Sequence, residues 1–515
     1  MRTVFPSCLL SNLTRRADCQ TEVQQMPLNM EPREMGIDEG MSQRTLQGEA
    51  KEKQKPWQVP VITKTCQHKY PSGEIREKRP LQLKQKVFIE RRSLLDELLE
   101  VQHFRTIYNI FVAVLCIFVL RAVVVDFIDN ERLVLDIEVL IFAFGRLHMA
   151  LLPWLVMFLY TLLVPYKVLQ IWAHSLETLQ WPTLVTVIAT AVIIIGHATV
   201  LGLYPIYTVI SQPFGPASCF IIILEQLRFL MKIHSFLRET VPPILRARSN
   251  DGKTGLPPFS TYLYFLFCPT LIYRENYPRT PHVRWRYVIE NFAKFFGCLF
   301  YGSMLFKCLS IPVFSTMNKQ PLTFRSLVLC VFNATLPALY LVLLMFFCFF
   351  HCWLNAFAEM LRFADRGFYK DWWNATSFPI FFRTWNMVVH DWLYYYIYQD
   401  LLWVFKAKAQ PVALLSTFII SGVAHEYAFT LCFGFFYPFT LPFSIVVVLE
   451  GMFYSTFSHG NKSPNSNILF WTYLLLGLAL QLCLQSLEWY SQIHCPVPKS
   501  TFWTKVTTHF WSCYS

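Results

Sequence analysis

The segment SGVAHEYAFTLCFGFFYP, residues 421–438, reads as membrane helix except at His425 and Glu426, about halfway along an apolar run from Pro411 to Pro438. Ionisable groups at bilayer depth cost about 3 kcal/mol or more unless they face protein or a cavity. His425 has Ser421 one turn before it on the same helix face. A desolvated, neutral imidazole suits a general base working near neutral pH. The alternative is a core histidine satisfied by a hydroxyl or a carbonyl. Neighbouring helical residues lie about 100° apart, so His425 and Glu426 cannot face one opening equally, and Glu426 is expected to point away.

A second group lies in RTWNMVVHDWLYYYIYQDLLW. Arg383, Asn386, His390, Tyr394 and Tyr398 recur at steps of three or four, which predicts one polar stripe on one continuous helix. Val388, Val389 and Trp392 fall opposite. Tyr394, Tyr395, Tyr396 and Tyr398 make all sides aromatic, which favours a protein cleft over a helix lying on the membrane surface. FYKDWWN is the third group: Phe368, Tyr369, Asp371, Trp372, Trp373 and Asn374. It reads either as an interfacial aromatic belt or as a knot fixing a loop below a reaction chamber. The chain has no G-x-S-x-G and no Ser-His-Asp order, so a covalent serine mechanism is not favoured. A buried histidine with an amide donor suits direct transfer. The histidine takes a proton from an alcohol and the asparagine orients the acyl donor.

Other local matches fail on single residues. NDGKTG lacks the earlier P-loop glycine, Ala247 standing there, and AHEYAF lacks the second zincin histidine, which would replace Phe429. The 15 cysteines form no C-x-x-C pair, so no metal site is expected. The sequons at Asn12, Asn333 and Asn374 fall in the tail, in a span and in a cytosolic loop, so none is expected to be glycosylated.

These groups need a membrane scaffold. Of the 515 residues, 54% are hydrophobic, 17% aromatic and only 15% charged, with mean hydropathy +0.36. Repeated apolar runs of about 20 residues then indicate an all-α polytopic membrane protein. The net charge of +12 fits basic segments flanking spans rather than a nucleic-acid partner. Residues 1–85 read as a disordered cytosolic tail. Residues 86–104 read as an amphipathic pre-membrane helix, with Leu94, Leu95, Leu98 and Leu99 at helical spacing after Ser93, its N-cap.

The membrane domain covers 105–490. Nine spans are expected, near 105–127, 137–163, 181–206, 214–235, 286–312, 323–353, 411–437, 439–457 and 467–490. Residues 382–404 carry too many polar groups to be a tenth, and 354–410 reads as a long cytosolic-side segment holding FYKDWWN. A cytosolic N-terminus then keeps the basic loops inside and puts the tail 491–515 in the lumen. Cys495 and Cys513 are the only cysteines in that oxidising tail and are expected to bond to each other.

FYKDWWN, TWNMVVHDW and SGVAHEYA together resemble the membrane-bound O-acyltransferase superfamily, and above all its sterol O-acyltransferase branch. The likeness runs from about Lys84 to the end, through FLFCPTLIYRENYPRTPHVRW, HCWLNAFAEMLRFADRGFYKDWWN and a tail, HCPVPKSTFWTKVTTHFWSC, that leans to the branch's second isoform. The resemblance implies nine spans around a chamber, His425 as catalytic base and Asn386 as its partner. Arg383, His390, Tyr398 and Ser421 would line the acyl-CoA tunnel. A basic residue expected from the family stands here as Gln410, which leaves Lys408 or Lys406 to meet the CoA phosphates. The implied reaction moves a long-chain fatty acyl group from acyl-CoA to the 3-hydroxyl of cholesterol or a related sterol. It uses no cofactor, in an endoplasmic reticulum enzyme that assembles as a homo-oligomer, a dimer or tetramer. Acylation of diacylglycerol or another lipid alcohol is the alternative. A proton-relaying transporter is disfavoured, because the chain shows no internal repeat.

Overall fold

In the computed structural model, residues 85–130, 137–178, 180–249, 256–317, 323–405, 410–457 and 465–495 are described, with Thr508 and Phe510. They fall in one compact unit, Leu81–Ser515. The architecture is all-α; among the described residues only two isolated bridges, Arg91 to Asp365 and Arg279 to Phe363, have extended pairing. In chain order the helices are α1 (Leu94–Glu100), α2 (Gln102–Asn130), α3 (Glu138–Ala143), α4 (Leu147–Thr178), α5 (Pro182–Gly196), α6 (Tyr204–Ser211) and α7 (Pro216–Ser249). Next come α8 (Phe259–Phe267), α9 (Trp285–Leu305), α10 (Ile311–Met317), α11 (Phe324–Met345) and α12 (Leu354–Met360). The last are α13 (Phe378–Thr384), α14 (Met387–Trp392), α15 (Gln399–Val404), α16 (Gln410–Phe433), α17 (Thr440–Phe457) and α18 (Asn465–His494). π-helical stretches join α5 to α6, α9 to α10, α11 to α12 and α14 to α15.

Among the described residues, seven helical stretches are long and apolar enough to cross a membrane: Gln102–Val125, Glu138–Leu176, Pro182–Ser211, Trp285–Ser315, Phe324–Met360, Gln410–Phe433 and Asn465–His494. A helix satisfies its own backbone hydrogen bonds, so these runs can sit in hydrocarbon. The other two stretches read as spans are also helical, as α7 and α17, but neither is among the seven. α7 is 34 residues long, yet it carries Glu225, Arg228 and Lys232. Those charges are turned inward. Arg228 Nε lies 2.6 Å from Glu225, and Lys232 Nζ donates to the carbonyls of Phe265 and Cys268 at 2.5 and 2.9 Å. Residues 382–404 do not form one long helix; they break into α13, α14, a π-helical turn and α15.

The segment from Phe346 to Met360 closes one span with a polar ladder. His351, Asn355 and Glu359 recur at i, i+4 and i+8, which stacks them on one face; all three are at most 1% exposed. His351 Nδ1 pairs with the Tyr369 hydroxyl at 2.9 Å, and Asn355 Nδ2 donates to Ser93 Oγ at 3.2 Å. Glu359 accepts from Arg284 through Nε at 3.0 Å and Nη2 at 2.9 Å, and it also pairs with Arg366. Ser93 does stand at the N-cap position of α1, but its side chain makes no cap bond. Its hydroxyl turns to Tyr369 at 2.9 Å, a buried partner that outcompetes a solvated amide.

Cys495 is disulfide-bonded and the other described cysteines are free; Cys513, expected opposite it, lies outside the described residues. Residues 1–84, including the tail read as disordered, also lie outside them.

Breaking the Glu359 cluster leaves the buried Arg366 guanidinium, and the half-exposed one of Arg284, without their carboxylate. Glu359→Ala is therefore expected to cost about 3–5 kcal/mol. Arg286→Ala removes an exposed i,i+4 pair with Glu290 and is expected to change stability by about 0.5 kcal/mol or less. Thermal unfolding of both detergent-solubilised variants checks the contrast.

Candidate active site

α16 answers why a histidine and a carboxylate stand side by side in an apolar helix. Glu426 is buried, and its Oε1 accepts from the backbone N–H groups of Thr440 and, at 3.1 Å, Leu441. Those amides open α17, so the carboxylate caps the next helix and meets the positive end of its dipole. Gly434, at φ +81°, ends α16 in the left-handed conformation and lets the chain turn back. Glu426 is a staple within the α16–α17 hairpin.

His425 faces elsewhere. Its Nδ1 lies 2.7 Å from the carbonyl oxygen of Ser421. A carbonyl only accepts, so Nδ1 carries the proton and the neutral ring keeps its lone pair on Nε2. At about 100° per residue, Phe418 and Phe429 share the His425 face, whereas Val412, Ile419, Ile420 and Val423 fall on the far side. Phe418 packs on Phe382 and Phe429 on Phe220 of α7, while the far-side residues are exposed. The exposed imidazole therefore opens toward the protein side of α16, away from the lipid-facing stripe.

Asn386 stands at the head of α14. Its backbone, at φ −130° and ψ 88°, breaks the chain between α13 and α14. Its Oδ1 accepts from Val389 N at 3.2 Å as an N-cap. With the oxygen engaged, the Nδ2 amide is left as a donor. The break corrects the predicted stripe. Arg383 lies in the last turn of α13, a different helix, and only His390, Tyr394 and Tyr398 hold the spacing. These three rings stack in turn at 6.3 and 5.8 Å. The cleft reading of this segment holds: Trp392 donates to Ser235 at 3.0 Å, Tyr396 to Glu239 at 3.0 Å, and Arg238 pairs with Asp400 at 2.8 Å, all bonds to α7.

FYKDWWN is a knot under this segment. Trp372, 1% exposed, meets the rings of Phe346, Phe381, Trp385 and Trp471 at 5.0, 5.9, 4.6 and 5.7 Å. Phe368 and Tyr369 are buried beside it, whereas Asp371 and Asn374 sit exposed at its edge. Asn467 and Trp471 of α18 donate to the Trp373 carbonyl at 3.0 and 3.1 Å. The Phe368 carbonyl accepts from Met387 N at 2.8 Å, which ties the knot to the start of α14.

α16 packs against the π-helical turn and α15, which follow α14, so His425 and Asn386 stand on separate elements of one helical cluster and do not hydrogen-bond to each other. Ser421 enters through its carbonyl. Lys406 and Lys408 lie outside the described residues. Among the described residues, no group of three or more His, Cys, Asp or Glu could hold a metal ion. Ser93, His351 and Asp96 do lie together, with Ser93 Oγ 3.5 Å from Nδ1 and Asp96 3.7 Å from Nε2. Ser93 is fully buried, so the trio joins elements and has no access to a substrate. The ladder's i, i+4, i+8 spacing is plain in HCWLNAFAE, but it matches no catalytic motif.

Two variants separate the roles in α16. His425→Ala should lose about 10²–10⁴-fold in acyl transfer with the protein still assembled. Glu426→Leu should keep turnover per folded molecule and lower the melting temperature, since two helix-opening amides lose their acceptor. Substantial turnover by His425→Ala would remove it from the chemistry. For Asn386, the aspartate variant keeps an N-cap oxygen but loses the amide donor. Asn386→Asp should retain stability and lose about 10²-fold in kcat, whereas Asn386→Ala should also cost about 1 kcal/mol of stability. Paired melting and turnover measurements decide both cases.

Residues 190–487 match the family model described as MBOAT, membrane-bound O-acyltransferase family. The chain is 51% identical over 446 residues to sterol O-acyltransferase 2 of Homo sapiens, covering 86% of this chain and 84% of that protein. It is 50% identical over 431 residues to sterol O-acyltransferase 2 of Mus musculus, covering 84% and 81%. It is 48% identical over 430 residues to sterol O-acyltransferase 1 of Mus musculus, covering 83% and 79%. With the matched domain running through α7, the FYKDWWN knot, α14 and α16, this chain belongs to the membrane-bound O-acyltransferase family.

Proposed function

We propose that this protein is an acyl-CoA:sterol O-acyltransferase, which moves a long-chain fatty acyl group to the 3-hydroxyl of cholesterol and releases CoA. The observation that carries the reading is the His425 imidazole, locked by the Ser421 carbonyl with Nε2 free, on the protein-facing side of a membrane helix. The similarity to sterol O-acyltransferases over more than four-fifths of the chain supports the acceptor.

Nε2 removes the proton as the sterol oxygen attacks the thioester carbonyl. The oxyanion that develops is stabilised by the Asn386 Nδ2 donor, whose own oxygen is held by Val389. The carbon–sulfur bond breaks, the acyl group stays on the sterol oxygen, and the CoA thiolate takes the proton back from Nε2. No acyl-enzyme forms, and acyl-CoA enters as substrate rather than cofactor. Arg383, His390, Tyr398 and Ser421 line the donor path, and Lys408 meets the CoA phosphates at its rim. A membrane-depth base suits an acceptor that lives in the bilayer. The protein resides in the endoplasmic reticulum membrane as a homo-oligomer, with its N-terminus cytosolic and Cys495 bonded to Cys513 in the lumen.

The test is release of free CoA thiol by purified protein given oleoyl-CoA with either cholesterol or diacylglycerol. Cholesterol-dependent release with cholesteryl ester as product is expected. Release with diacylglycerol alone would move the assignment to another lipid alcohol.

A further inference from the structure

The extended residues before α1 run across the parts that carry Asn386. Arg91 N donates to the Ala364 carbonyl at 3.0 Å, and Arg366 N donates back to Arg91 O at 3.3 Å. Arg91 Nε pairs with Asp365 at 2.6 Å. The Phe88 ring packs on Tyr277 at 5.1 Å and Phe363 at 6.0 Å. Upstream of these contacts, Lys86 Nζ lies 2.6 Å from Asp391 Oδ2, a partner 305 residues away, with both side chains about 15% exposed.

Asp391 belongs to α14, which has only six residues. α14 runs on through the π-helical turn into α15, so it is the open first turn of that helical run, at the Asn386 break, whose position rests on local anchors. At its head stand the Asn386 cap and the Met387–Phe368 bond; at its other end stand Trp392 on α7 and Asp391 on Lys86. Besides Lys86, His390 Nδ1 lies 3.5 Å from that carboxylate, and the Tyr395 phenol one turn on also feels its charge. Burial alone would raise the Asp391 carboxyl, but the His390 contact and the Lys86 ammonium hold it below its usual range. Removing Lys86 leaves a largely buried carboxylate without its cation, and the start of this helical run then gains by shifting toward water.

We propose that Lys86 and Asp391 are positioning residues: their ion pair clasps the segment before the first membrane helix to α14 and thereby sets the Asn386 amide. For its kinetic arm the proposal rests on the sterol-esterification reading. Clasping differs from bulk support, because the charge pair can be reversed without changing what either segment packs against.

The experiment uses the full chain, with oleoyl-CoA and cholesterol as substrates and hydrogen exchange read at the Val389 and His390 amides. Both amides are bonded to Asn386, one to Oδ1 and one to its carbonyl. Lys86→Met should lower kcat about 10-fold through misplacement, with both KM values within about twofold. Exchange at the two amides should rise about 10-fold, with the membrane helices unchanged. The reversed pair, Lys86→Asp with Asp391→Lys, should recover most of both effects, whereas each reversed single variant should not. Unchanged exchange in Lys86→Met, or a reversed pair no better than its singles, overturns the clasp. A wild-type protein that makes no sterol ester would overturn the functional reading instead, and the exchange arm would still decide the clasp.

Discussion

The ladder of His351, Asn355 and Glu359 is what the rest of the molecule hangs from. Each side chain is buried at the end of a long apolar helix, where an unpaired polar group costs more than it would in water. Each bonds a different piece of chain: the FYKDWWN loop through Tyr369, the segment before α1 through Ser93, and the loop before α9 through Arg284. Three stretches distant in sequence therefore meet on one helical post. The aromatic knot around Trp372 then has a fixed floor, and α14 a fixed base.

Above that floor, the two candidate groups share a design. His425 gives one ring nitrogen to its own helix, and Asn386 gives its oxygen to the amide of Val389. In each case the local backbone consumes one polar atom and so orients the other. Such preorganisation is worth most where water is excluded, because no reorganisation is needed when charge develops. The two residues sit on separate elements, α14 and α16, so their spacing depends on how those elements pack.

Much of this was legible in the sequence. The apolar runs gave the helical membrane architecture, and helical periodicity separated His425 from Glu426. Periodicity failed where the chain is not one helix. The stripe from Arg383 to Tyr398 presumed continuity, but Asn386 is a good N-cap and breaks it. A polar residue in a periodic run can be a boundary as well as a face. The charges in α7 were likewise visible, yet their inward partners, such as the Phe265 and Cys268 carbonyls, come from the C-terminal end of α8, which no local pattern links to Lys232. The Lys86–Asp391 pair spans most of the chain and leaves no periodic trace.

The Glu426 staple also bears on how the protein is built. The amides it accepts belong to Thr440 and Leu441, so α17 starts beside the seventeenth residue of α16 rather than beyond its end. Glu426 is seven residues short of the end of α16, a depth of about 10 Å, and α17 has only 18 residues. A nascent chain that released α16 alone into lipid would strand a carboxylate there at a penalty of about 3 kcal/mol. Release of the two helices as one hairpin avoids that penalty, since the amides that quench the charge arrive 14 residues later. During biogenesis, α16 and α17 therefore make one insertion unit.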